Sequence, residues 1–61
     1  MIIYKNRYRG SDTITISHNK KTDVFTLIFE HNNEETNKIY IGREAAKTIA
    51  EGLKVLLNNE Q

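Results

Sequence analysis

The chain has no cysteine, no proline and no tryptophan, and only three glycines among its 61 residues. Without cysteine there is no disulfide framework, no thiolate nucleophile and no cysteine-held zinc. Gly10, Gly42 and Gly52 are isolated, so no glycine-rich phosphate loop exists. No apolar run approaches the roughly 20 residues of a membrane-crossing helix. The opening Met1-Ile2-Ile3-Tyr4-Lys5 also lacks the apolar stretch of a signal peptide. Ser11 and Ser17 have no histidine–acid arrangement beside them, and His18 and His31 fall at opposite ends of a hairpin. Neither nucleophilic catalysis nor a metal centre is therefore expected. These absences describe a cytoplasmic, non-enzymatic protein that needs no cofactor and no membrane.

The length bounds the chain to a single domain over residues 1–61. One core in a chain this small supplies only about 3–5 kcal/mol, and no disulfide or metal adds to it. Oligomerisation is the remaining device, and a homodimer is expected. The net charge of +1 hides an asymmetry. Residues 1–21 hold Lys5, Arg7, Arg9, Lys20 and Lys21 against Asp12 alone, a balance of +4. Residues 22–61 hold four cations against seven acids, a balance of −3. A polyanionic partner would be met by one patch, not by the whole surface.

Gly10-Ser11-Asp12, Asn19-Lys20-Lys21-Thr22, His31 to Asn37, and Gly42 punctuate the chain. Between them lie segments that alternate or are rich in β-branched and aromatic residues, predicting strands at about Ile2–Arg9, Thr13–His18, Val24–Glu30 and Lys38–Ile41. From Arg43 to Asn58 the period changes. Ala46, Ile49, Ala50, Leu53, Leu56 and Leu57 recur at spacings of three and four, predicting a 16-residue amphipathic helix. Gly42 serves as its N-cap, and Glu44 complements the positive end of the helix dipole. Gly52, in the helix interior, suits either a close approach by another backbone or a tolerated glycine.

A four-residue loop at Asn19–Thr22 pairs Ile16 with Phe25 and Ile14 with Leu27. One sheet face then carries Ile14, Ile16, Phe25, Leu27 and Phe29, joined by Ile39 and Ile41, and it matches the helix stripe. The other carries Thr13, Thr15, Ser17, Thr26, Ile28, Lys38 and Tyr40 and stays open. The fold class is α+β: a four-stranded antiparallel meander followed by one C-terminal amphipathic helix packed on one face.

In the first strand a period of two puts Lys5, Arg7 and Arg9 on one face and Tyr4, Asn6 and Tyr8 on the other. Burying three cations against isoleucines would cost several kcal/mol each. A three-residue turn, Gly10–Asp12, avoids that by sending the cations to the threonine face and the tyrosines toward the helix. Cations about 6.6–7 Å apart run near the spacing of phosphates in an extended single strand. Together with a stacking ring such as Tyr40, they form the usual equipment of a single-strand binder. Lys5, Arg7, Arg9, Lys20, Lys21 and Tyr40 are the candidate nucleic-acid contacts. The alternative use of charges on such a strand is to guard an exposed edge.

Lys5-Asn6-Arg7-Tyr8, the central hairpin, and Lys38-Ile39-Tyr40-Ile41-Gly42-Arg43-Glu44 running into the helix give nearly the whole chain a pattern that resembles the positive-cofactor-four coactivator family. That resemblance implies a homodimer paired partly through its helices. It also implies single-stranded DNA held on basic, aromatic sheet surfaces, with Lys5, Arg7, Arg9 and Tyr40 as contacts. The chain departs from the family in having no tryptophan and in its Glu30-His31-Asn32 segment. The competing expectation is a small regulator or inhibitor of phage or mobile-element type. It would act on a host protein through a sheet edge or the acidic loop at Glu34 and Glu35.

Overall fold

The computed structural model describes residues 2–59 and consists of four strands and a helix: β1 (Ile2–Arg9), β2 (Asp12–Asn19), β3 (Val24–His31), β4 (Glu34–Gly42) and α1 (Arg43–Asn58). The strands form one antiparallel sheet in the order β1-β2-β3-β4. This is the ββββα class that the alternation followed by helical periodicity calls for. No described helix is long and apolar enough to cross a membrane.

Alternation assigns the faces correctly, but the turns set the registers, and each differs from the expectation. At the second turn Asn19 pairs with Val24, so the loop is Lys20–Asp23 and not Asn19–Thr22. Ile16 then faces Leu27 and Ile14 faces Phe29. The slide is two residues, one full period, so every side chain keeps its side. Asn19 fixes this loop. Its side-chain oxygen accepts from the Lys21 N–H at 2.9 Å, and its carbonyl accepts from the Asp23 N–H at 2.8 Å. Asp23 closes the loop in the left-handed region, at φ 55°.

The first turn also differs. It is a two-residue turn, Gly10-Ser11, with Gly10 at φ 52°, compensated by a bulge between Arg7 and Arg9. The polar run His31–Asn37 is not a long loop. A two-residue turn, Asn32-Asn33, takes φ 52° and 66°, the pattern of the hairpin turn that matches sheet twist. β4 therefore begins at Glu34.

Helix α1 begins and ends where its periodicity ends, capped by extended Gly42 with Glu44 in the first turn. Its backbone approaches β3 and β4 but neither β1 nor β2, and of β2 only Ile16 lines the groove beneath it. Between Ala46, Ile49, Ala50 and Leu53 of the helix and Ile16, Phe25, Leu27 and Ile41 of the sheet lies an open, wholly apolar groove of about 250 Å³. Among the described residues none is fully buried. Leu53, Leu56 and Leu57 remain 56%, 70% and 65% exposed. Tyr4 and Tyr8, expected to pack toward the helix, are left more than half exposed because the helix does not reach them.

Nothing lies within 4 Å of where a Cβ on Gly52 would sit, so no backbone approaches it within the chain. Gly52 instead lines a shallow outer groove with Glu44, Lys47, Thr48 and Glu51. Gly52→Ala is accordingly expected to stabilise the helix by about 1 kcal/mol. In a domain this small that raises the melting midpoint by roughly 4–8 °C, as circular-dichroism melts would show.

Candidate nucleic-acid interface

The face opposite the helix is built in rows across the sheet. Ile3, Ser17, Thr26 and Tyr40 form one row, and Lys5, Thr15, Ile28 and Lys38 the next. Arg7, Thr13, Glu30 and Glu35 form the third. Lys5 and Arg7 thus mark one margin, about 6.6–6.8 Å apart along β1. Lys38 and Tyr40 mark the other, roughly 14 Å away across three strand spacings. The floor between them is mostly hydroxyl-bearing.

The cations differ in availability. Arg7 is exposed and belongs to none of the ion pairs among the described residues. Lys5 Nζ stands 3.6 Å from Glu30 Oε1, whose position is also fixed by a hydrogen bond of 3.4 Å from the Thr13 hydroxyl. Exposed pairs of this kind contribute about 0–1 kcal/mol, so Glu30 does not hold Lys5 firmly. Arg9 is different. The bulge takes it out of phase with Lys5 and Arg7 and sets it against Asp12, with Nε donating to Oδ2 at 3.3 Å. Asp12 also meets His31 Nδ1 at 2.6 Å, and His31, followed by Arg9, draws its carboxyl below the ordinary carboxylate range. The expected track of three cations is therefore two, Lys5 and Arg7.

Lys38, which alternation already placed on this face with Tyr40, adds a cation that the candidate set left out. Its ammonium lies 5.6 Å from the Tyr40 ring centroid. The Tyr40 hydroxyl first, and Glu35 after it, hold that ammonium above its usual value. Tyr40 itself is 63% exposed. Lys20 and Lys21 are exposed in the β2–β3 turn, beyond the Ile3–Tyr40 row and at the opposite end of the sheet from Arg7.

A second cluster, absent from the sequence reading, pins that turn to the start of the helix. Arg43 donates from Nε and Nη2 to the two carboxylate oxygens of Asp23, each at 2.8 Å. His18 Nε2 meets Asp23 Oδ1 at 2.8 Å while its ring stacks on Phe25 at 4.3 Å between centroids. The Arg43 guanidinium lies 5.5 Å from the same Phe25 ring. The register slide sets His18 opposite Phe25, and Arg43 joins Asp23 from twenty residues away, so no local motif announces the cluster. Arg43, then His18, lowers the Asp23 carboxyl from 3.8 to about 2. A carboxyl depressed in the folded state adds stability that is present above its unfolded pKa and lost as acid titrates it. Part of the stability is accordingly expected to disappear between about pH 4 and 2. In Asp23→Asn the acid limb of a pH–melting curve should flatten and the neutral-pH midpoint fall. An unchanged acid limb would remove this role for Asp23.

His18 and His31 lie at opposite ends of the β2–β3 hairpin, and no described cluster of three or more histidine, aspartate or glutamate side chains is placed to hold a metal. A comparison with protein families, curated proteins and solved structures found no match to this chain.

Proposed function

We propose that the chain is a small homodimeric protein that binds single-stranded nucleic acid, most simply DNA, on the open face of its sheet. The observation that carries this reading is the uncovered threonine face bearing Lys5, Arg7, Lys38 and Tyr40. Lys5, Arg7 and Lys38 neutralise phosphates, Tyr40 offers a ring for a base, and Thr13, Thr15, Ser17 and Thr26 offer hydroxyls. Lys20 and Lys21 extend the positive surface at one end of the sheet, and Arg9 contributes little because the bulge takes it out of phase with this face. Glu30 and Glu35 bound the positive region at the Arg7 end. The strand-and-helix order is the one that the resemblance to the positive-cofactor-four family implies. Such a protein would work in the cytoplasm without a cofactor.

The competing reading, a regulator that binds a host protein, draws on the bare leucines of α1. Those leucines fit self-association equally, whereas the cations on the far face have no use in it. The experiment is a fluorescence-anisotropy titration of a labelled thymidine oligonucleotide at several salt concentrations. With three phosphates neutralised per protomer, the logarithm of affinity should fall with the logarithm of salt with a slope of about −2. Absence of binding to any single-stranded DNA or RNA at low salt would end the proposal.

A further inference from the structure

We infer that the vacant half of the sheet's apolar face, over β1 and β2, is covered by the C-terminal end of α1 from a second copy of this chain, in a reciprocal two-fold exchange. The inference rests on the homodimeric reading and specifies its interface.

A folded monomer of 7.1 kDa is expected to expose about 4,100 Å², whereas this chain exposes 5152 Å². The excess, roughly 1,000 Å², is at least what one partner contributes to a stable interface, about 800 Å². The radius of gyration agrees. It is 12.9 Å, against about 10.5 Å for a compact domain of this length. The single chain is thus too open by about one protein–protein interface.

The shape of the missing piece follows from the sheet. Two uncovered strands present a strip about 10 Å wide, the diameter of a helix. On that strip lie Tyr4, Ile14 and Ile16, in register across β1 and β2, with Asn6 between the tyrosine and the turn. The helix as far as Leu53 stands over its own β3 and β4, through Ala46, Ile49, Ala50 and Leu53, with Ile16 of β2 at the edge of the covered area. Its last turn continues the same stripe past Leu53, which stands at the rim of that groove, to Leu56 and Leu57, which have nothing to cover. Each chain therefore has a helix end without a sheet and a sheet half without a helix. One two-fold axis satisfies both and closes the assembly. The apolar faces are then inside, so the two threonine faces point outward from opposite sides of the dimer, each a separate strand-binding surface.

The test uses the whole chain. Light scattering should give twice the chain mass for the natural protein. Leu56→Glu with Leu57→Glu should weaken self-association at least about 100-fold, because a carboxylate would enter an apolar interface. In the single chain both positions are mostly exposed, so the substitution leaves the protomer's own packing intact, and far-UV circular dichroism checks this. Because the chain has no cysteine, geometry can be read separately. Tyr4→Cys protein mixed with Leu57→Cys protein should form a mixed disulfide. Thr15→Cys, on the outward face, should not form one with Leu57→Cys. A monomeric mass at all concentrations overturns both the interface and the dimer. A dimer that tolerates the two glutamates, or that cross-links through Thr15→Cys, overturns the interface alone. Neither result bears on oligonucleotide binding, which the salt titration decides.

Discussion

Reversing Lys5 and Arg7 together, to glutamate, is expected to reduce affinity for single-stranded oligonucleotides on the order of 100-fold at low salt, uniformly across sequences. The two side chains project from alternate positions of β1 onto the open face, opposite Thr15 and Thr13. Their loss leaves Lys38 as the cation within the rows, so the salt slope should shrink from about −2 to about −0.7. Arg9→Glu is the internal control. Arg9 is engaged with Asp12 and displaced by the bulge, and its reversal should change the affinity much less. Equal effects from all three positions would mean that bulk charge, not this face, drives binding.

Phe25→Ala is expected to have the largest effect on stability. The ring lines the groove between sheet and helix, stacks on His18 and lies under Arg43. It therefore joins the apolar face to the Asp23 cluster that anchors the helix start. Truncating a fully buried phenylalanine costs about 3–5 kcal/mol. For half-buried Phe25 the cost should be about 2 kcal/mol, a large share of the roughly 3–5 kcal/mol that a chain of this size commands. The melting midpoint should fall by about 8–16 °C, and Phe25→Leu should recover most of it. A midpoint unchanged by Phe25→Ala would show that the groove contributes nothing to the fold.

The class of fold and the side on which the strand residues outside the bulges lie are legible in the sequence because both depend on periodicity alone. Leu53 must fall on the stripe of Ala46 and Ile49, and Thr15 must fall opposite Ile14 and Ile16, wherever the strands begin. The registers were not legible, because they depend on turn conformations that several residue types can adopt. Asp23 in a left-handed conformation closes the second hairpin two residues away from the expected register, and that step sets His18 opposite Phe25. The first half of β4, Glu34–Asn37, has no apolar residue and reads as loop. Pairing with β3 makes it strand, as neighbours commonly override local preference in sheets.

The candidate site divides in the same way. Lys5, Arg7 and Tyr40 fall on one face by alternation, and Lys38 belongs with them by the same rule. Arg9 departs because a bulge inserts one residue between it and Arg7, and a bulge leaves no mark on an alternating pattern. The bare helix stripe was legible as amphipathicity. That Leu56 and Leu57 lie beyond the reach of their own sheet depends on the angle at which the chain leaves β4 at Gly42, which periodicity does not specify.

The most direct test of the central claim is a titration of isotopically labelled protein with a single-stranded oligonucleotide, followed by amide chemical shifts. The account predicts that shifts concentrate at Lys5, Arg7, Thr13, Thr15, Ser17, Thr26, Lys38 and Tyr40, with α1 unmoved. Shifts confined to α1 and the Ile14–Ile16 side, or none at all at low salt, would contradict it.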